Sequence, residues 1–170
     1  MAGYGLPNEQ HLSVVLQDSL LLEGHNIEIV NGSVSGSTSA GGLNIAEWTL
    51  SENNIDLMIL CLGANDMLRG INPKETKNNL EEIIKIAKSK NIKVIIAGMI
   101  APTSYGFEYK KSFDTIFSDL SKKYKLQLIP FLLEGVAQKP EFNLSDGMHP
   151  NDQGTIIIGN TLKKAILENL

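Results

Sequence analysis

Short apolar segments alternate with helical segments along the whole chain, and this alternation limits the possible folds more than any other feature. Strand patterns occupy residues 27–30, 55–62, 93–99 and 126–129. In the clearest helix, one apolar face with spacing i, i+3, i+4 and i+7 is formed by Leu80, Ile83, Ile84 and Ala87. Repeated β-α-β units favour right-handed crossovers and a parallel sheet with helices on both faces. The sequence therefore predicts an α/β fold.

Helices are predicted between and around these strands. They cover residues 8–23, a segment ending near Leu50, a segment beginning at Pro73, residues 109–124, a short stretch at 131–137 and the C-terminal residues after Pro150. The chain thus opens with a helix, whereas in the common doubly wound order 2-1-3-4-5 the first strand is central. Without that strand its two neighbours would lie about 9–10 Å apart, twice the usual spacing. The central strand is therefore expected to be missing from these 170 residues.

Size and composition indicate a single globular domain over residues 1–170, long enough to bury one core. The net charge is −4, and lysines alternate with acids on the helices, so no nucleic-acid partner is expected. Cys61 lies alone in an apolar strand and is predicted to be a small core residue. Neither a zinc cluster nor an apolar run of about 20 residues is present, so no metal and no stable membrane insertion are expected.

The pair Asp146 and His149, in Asp-Gly-Met-His-Pro, is the first candidate for chemistry. Histidine is a natural general base near pH 7, and a carboxylate on its other ring nitrogen fixes its tautomer. Gly147 allows a tight turn that brings both side chains together, and Pro150 disfavours helical geometry at His149. The alternative is an exposed histidine beside a helix N-terminus, because the D-x-x-H pattern also occurs by chance.

Asn65 and Asp66 follow a buried strand, at the carboxyl edge where open α/β sheets bind ligands. An asparagine amide there can donate to an oxyanion; the alternative is a simple turn and cap. Gly36, in the loop after the first strand pattern, could donate a second backbone N–H to an oxyanion. A plain flexible turn or a phosphate loop is the alternative, although neither glycine-rich phosphate motif is present.

Together these blocks resemble the SGNH (GDSL-type) hydrolases, in particular the acyl-CoA thioesterase I, lysophospholipase and arylesterase branch. Gly36 matches the glycine block, Asn65 the asparagine block, and Asp146 and His149 the last block, in the family's order. The resemblance implies a flavodoxin-like three-layer α/β/α sandwich. It also implies that His149 and Asp146 are catalytic, and that Gly36 and Asn65 form the oxyanion hole.

The family's nucleophilic serine is not found at the matching place. Its first strand ends in Gly-Asp-Ser-Leu-Thr-Ala-Gly-Tyr-Gly-Leu, and this chain joins that pattern at Ala2, with Met1 in the place of Thr. The serine would therefore fall two residues before Met1. Ser19, in Asp-Ser-Leu, is a poor substitute because its surroundings are helical, and a nucleophile elbow needs a sharp strand-to-helix turn.

The resemblance implies a hydrolase of small acyl esters or thioesters that acylates a serine and needs no cofactor. The 170-residue chain as given is expected to be nearly inactive, since it lacks that serine. The alternative is a non-catalytic short form that binds acyl chains or lysolipids. A cytoplasmic location is expected for the chain as given, and a periplasmic one if a signal peptide precedes Met1. The oligomeric state is left open.

Overall fold

A computed structural model describes residues 3–51 and 54–170; Met1 and Ala2, where the chain joins the family pattern, lie outside the described residues. The helices and strands, in chain order, are α1 (Leu12–Leu22), α2 (Ser39–Thr49), β1 (Leu57–Leu60), α3 (Ala64–Leu68), α4 (Pro73–Ser89), β2 (Lys93–Ala97), α5 (Phe107–Tyr124), β3 (Gln127–Ile129) and α6 (Asp152–Leu167). They fall into two compact units, a sheet unit (residues 36–131) and a helical unit (residues 3–35 and 132–170). The expected single domain stays a prediction.

The sheet unit contains a parallel sheet in the order β1-β2-β3, which confirms the α/β class. Leu57 lies opposite Lys93 in the first pair of strands, and Ala97 lies opposite Ile129 in the second. Helices α4 and α5 pack on β2 and on each other, as their apolar faces predict. The core of this unit lies between the two helices and the sheet, and its most buried side chains include Leu80, Ile84, Ile96, Phe113, Phe117 and Leu120.

The helical unit is built on α1 packed against α6. The buried apolar side chains of these two helices include Leu16, Leu20, Ile158 and Leu162. Helix α6 begins at Asp152, after the extended residue Asn151, whose side chain caps the helix by accepting from the N–H of Gly154. The expectation that the C-terminal helix starts after His149 is confirmed.

The predicted strand at residues 27–30 is wrong. A strand needs a ladder partner, and none pairs with this segment among the described residues. The carboxamide of Gln17 takes that place instead: its Nε2 donates to the carbonyl of Ile27, and its Oε1 accepts from the N–H of Ile29 at 2.6 Å. One side chain thus reproduces one rung of a parallel ladder, and Val30 remains largely exposed.

Two smaller differences concern helices. The predicted helix at residues 131–137 is a series of turns, because Gly135 adopts a left-handed backbone with φ of 78°. Conversely, Asn65 and Asp66 lie within the short helix α3 rather than in a plain turn. Helix α3 follows β1 closely, so both residues are carried at the carboxyl end of that strand.

Candidate active site

Asp146 and His149 are in direct contact in the helical unit. Nδ1 of His149 donates a hydrogen bond of 2.7 Å to Oδ2 of Asp146. Because a carboxylate can only accept, the proton of the neutral imidazole is on Nδ1, and Nε2 presents a lone pair. Both side chains are partly exposed, with relative accessibilities of 42% for His149 and 39% for Asp146. The predicted pair is therefore formed, in the tautomer that a general base requires.

The carboxylate of Asp146 is also held by the backbone of its own turn. Its Oδ1 accepts from the N–H of His149 at 2.9 Å and from the N–H of Met148 at 2.8 Å. Three hydrogen bonds to the Asp146 carboxylate lower its pKa to about 2. The backbone N–H of His149 has the largest effect, followed by the ring of His149 and the N–H of Met148. Asp146 therefore stays negatively charged over the pH range in which a histidine base operates.

The loop that carries this pair is closed at both ends. The N–H of Leu144 donates to the carbonyl of His149 at 2.7 Å, and Asn143 pairs with Pro150 in an isolated antiparallel bridge. Asn143 is buried, and its amide donates to the carbonyls of Val136 and Lys139, both at 2.7 Å. These bonds fix the backbone on either side of His149 before any substrate binds.

Asn65 sits in the first turn of α3, in the sheet unit. The preceding Gly63 has φ of 113°, and a Cβ there would lie 3.3 Å from the ring of Phe117 and 3.7 Å from that of Phe113. Those two aromatic rings pack edge to face in the core. Only glycine meets both the backbone and the space requirement, so the entry to α3, and with it Asn65, is fixed by the core.

Gly36 and Asn65 lie on segments that contact each other. Nδ2 of Asn65 donates to the carbonyl of Ser37 at 3.1 Å, and a guanidinium nitrogen of Arg69 donates to the carbonyl of Gly36 at 2.8 Å. Gly36 has φ of 73°, a left-handed backbone that turns the chain sharply. An amide nitrogen carries two hydrogens, so Asn65 retains one N–H for a ligand oxygen.

Asp66 is the main site residue that the sequence did not reveal as more than a possible cap. It is fully buried; its Oδ2 accepts from the N–H of Ser39 at 2.7 Å, and its Oδ1 accepts from the hydroxyls of Ser39 and, at 3.1 Å, Thr76. Asn79 in turn donates to the Ser39 hydroxyl at 3.0 Å. The network ties the start of α2, just after Gly36, to α3. The sequence signal for Asp66 was its position: a charged residue next to Asn65, directly after a buried strand.

Two residues considered from the sequence are placed in unreactive settings. Ser19 lies inside α1, and its hydroxyl accepts from Nζ of Lys163 at 2.8 Å, while Lys163 also pairs with Glu23 at 2.5 Å. It is not on a strand-to-helix elbow. Cys61 is half-buried after β1, and burial raises the pKa of its thiol, which disfavours the reactive thiolate.

Within residues 3–51 and 54–170, no three histidine, cysteine, aspartate or glutamate side chains are grouped to hold a metal ion. Nor does any helix of that part of the chain have the length and apolar character needed to cross a bilayer. Two of the predicted site residues, Asp146 and His149, are thus in direct contact in the helical unit. In the sheet unit, Asn65 contacts the loop of Gly36 through Ser37.

Comparison with known proteins shows the same family from sequence and from structure. The model of the GDSL-like lipase/acylhydrolase family matches residues 1–155. An arylesterase of Vibrio mimicus is 35% identical over 99% of this chain and 84% of its own length. Esterase TesA of Pseudomonas aeruginosa is 36% identical over 88% of this chain and 74% of its own length.

Solved structures agree with these relatives. A crystal structure of TesA matches with a TM-score of 0.93 at 32% identity, covering 99% of this chain and 94% of that one. The psychrotrophic esterase EstA from a Pseudoalteromonas species, inhibited by monoethylphosphonate, also gives a TM-score of 0.93, at 30% identity over 98% and 91% of the two chains. The chain therefore belongs to the GDSL-like lipase/acylhydrolase family, in the TesA, arylesterase and thioesterase I branch.

Proposed function

We propose that this protein hydrolyses small acyl esters and thioesters through a serine acyl-enzyme, with His149 as the general base and Asp146 as its partner. The observation that carries the proposal is the 2.7 Å hydrogen bond from Nδ1 of His149 to a carboxylate that stays ionised. It leaves Nε2 able to take the proton of a serine hydroxyl and return it to the leaving group.

Gly36 and Asn65 are assigned to the oxyanion hole. The amide of Asn65 and the backbone N–H of Gly36 would donate to the oxygen that becomes negative when the ester carbonyl is attacked. The Asn65–Ser37 hydrogen bond supports this assignment because it fixes the amide beside the loop that carries Gly36. Donors held in place before the reaction need no reorganisation as the charge develops.

The nucleophile is assigned to the serine of the family's first block, which aligns two residues ahead of Met1. Ser19 is in a helix and hydrogen-bonded to Lys163, so it does not replace that serine. The relatives include an arylesterase and a thioesterase 1/protease 1/lysophospholipase L1, which supports aryl esters and acyl thioesters as the substrate classes to try first. No cofactor takes part in this chemistry.

The test compares two polypeptides: residues 1–170 alone, and the same residues preceded by a strand and the Gly-Asp-Ser-Leu block. With p-nitrophenyl butyrate, the first is expected to be slower by a factor on the order of 10⁶ in kcat. In the second, His149→Ala should reduce kcat nearly as much as removing the serine, and Asn65→Ala should reduce it by about 10²–10³.

Two results would overturn the proposal. One is strong ester turnover by a pure polypeptide of residues 1–170, which would place the nucleophile within those residues. The other is turnover by the serine-bearing polypeptide that survives His149→Ala. Saturable binding of a lysolipid to residues 1–170, with no turnover by either polypeptide, would favour the acyl-binding alternative instead.

A further inference from the structure

An exposed aromatic side chain lies on the imidazole of the catalytic pair. The ring centroids of Tyr4 and His149 are 4.4 Å apart, and the two planes are inclined by 34°. This spacing lies at the short limit of favourable aromatic pairs, whose ring centroids are usually about 4.5–7 Å apart. Tyr4 is 58% exposed, so its ring contributes little to a core, and packing alone does not explain its place.

The backbone that presents Tyr4 is narrowly specified. Residues 3–6 form a turn closed by a hydrogen bond of 3.1 Å from the N–H of Leu6 to the carbonyl of Gly3. The two glycines that flank Tyr4 have φ of 69° at Gly3 and 73° at Gly5. Both are left-handed backbone conformations that residues other than glycine rarely adopt. The turn therefore directs the Tyr4 side chain one way.

The turn is also held from two sides. A Cβ on Gly3 would lie 2.1 Å from the ring of His11, whose Nε2 donates to the carbonyl of Leu6 at 3.1 Å. A Cβ on Gly5 would lie 2.7 Å from the side chain of Leu144. His11 thus supports the turn, and Leu144 joins the turn to the loop of His149.

We propose that Tyr4 is a positioning residue for His149, whose ring holds the imidazole on Asp146 and stabilises the imidazolium formed when His149 accepts the serine proton. This inference rests on the proposed function. While the imidazole is neutral, the adjacent phenol ring limits rotation of the His149 side chain and so keeps Nδ1–H on the carboxylate. After proton transfer, the positive ring lies over the negative face of the phenol, an attraction that is weaker in the ground state.

The test observes His149 in residues 1–170 by NMR, without substrate. Tyr4→Leu removes the aromatic ring but keeps an apolar side chain, and Tyr4→Phe keeps the ring without its hydroxyl. The energy of an aromatic pair corresponds to a factor of about 2–10. Exchange of the His149 Nδ1–H with water should therefore rise about 2- to 10-fold in Tyr4→Leu, and the ¹⁵N shifts should move toward the Nε2–H tautomer.

Tyr4→Phe should keep the exchange rate of the His149 Nδ1–H within twofold of the original chain. Its ¹⁵N shifts should match those of the original chain. Phe107→Leu is the matched control, because Phe107 is also an exposed aromatic residue, 73% accessible, and lies on α5 in the sheet unit. It should leave His149 unchanged. Nuclear Overhauser contacts between the Tyr4 and His149 rings are expected in the unsubstituted chain.

The inference is overturned if those contacts are absent, if Tyr4→Leu leaves exchange and tautomer unchanged, or if Tyr4→Phe changes them as much as Tyr4→Leu does. The readout needs no hydrolysis. A failure of ester turnover therefore counts only against the proposed function, whereas an unchanged His149 signal counts only against the role of Tyr4.

Discussion

Removing the buried carboxyl group of Asp66 should destabilise the segment that carries Gly36. In Asp66→Ala, the N–H of Ser39 loses its acceptor and has no freedom to turn elsewhere, because it is a buried backbone group. Leaving such a group unsatisfied costs about 1–3 kcal/mol. The hydroxyls of Ser39 and Thr76 also lose Asp66 as an acceptor, but a hydroxyl can rotate toward another partner. The Ser39 hydroxyl still accepts from Asn79.

These contributions sum to a loss of about 2–4 kcal/mol in the free energy of unfolding. Asp66→Asn keeps the shape and one acceptor, and the hydroxyls can offer lone pairs to its amide, so a loss of about 1 kcal/mol is expected. Asp119→Ala is the control: its carboxylate is exposed and pairs with Lys77 at the surface. Its loss should not exceed about 0.5 kcal/mol.

Urea unfolding followed by circular dichroism measures the global effect, and hydrogen exchange of the Ser39 amide measures the local one. The amide should exchange much faster in Asp66→Ala than in Asp119→Ala. Asp66 does not hold this segment if the free energy of unfolding of Asp66→Ala is within about 0.5 kcal/mol of the original chain and the Ser39 amide keeps its protection.

Three further changes test other contacts. Gly98→Ala should cost about 1–3 kcal/mol in urea unfolding, because its Cβ would lie 2.3 Å from the carbonyl oxygen of Pro130; unchanged stability would contradict this. The pKa of Asp146 is lowered in the folded chain, so its contribution to stability is complete above its usual value of 3.8 and is lost as the pH falls through about 2. A ¹³C titration of that carboxyl with a midpoint near 3.8 would refute it. Gln17→Ala should speed hydrogen exchange of the Ile29 amide, and unaltered exchange would show that the carboxamide does not bind there.

The sequence predicted those parts of the fold and site that depend on local pattern. Helix α4 begins at Pro73 as predicted, because proline suits the first turn and Asn72 caps it. The Asp146–His149 pair also followed from local signals, a glycine that permits the turn and a proline that ends it. Such features involve neighbours in the chain, whose effect can be worked out without the rest of the structure.

What the sequence did not predict depends on contacts between distant segments. Residues 27–30 have a strand pattern, but a strand requires a partner, and Gln17 satisfies the backbone instead. The network of Asp66 joins α2, α3 and α4, and the contact of Tyr4 with His149 spans most of the chain. Neither contact follows from spacing in the sequence.

In the proposed mechanism His149, held by Asp146, activates a serine in a block that aligns ahead of Met1. A fluorophosphonate labels such an activated serine, so the serine-bearing polypeptide should be treated with it and the label located by peptide mass spectrometry. We expect a single label on the serine of the Gly-Asp-Ser-Leu block, and we expect His149→Ala to abolish it. A label on Ser19 or any other serine of residues 1–170, or labelling that persists without His149, would contradict it.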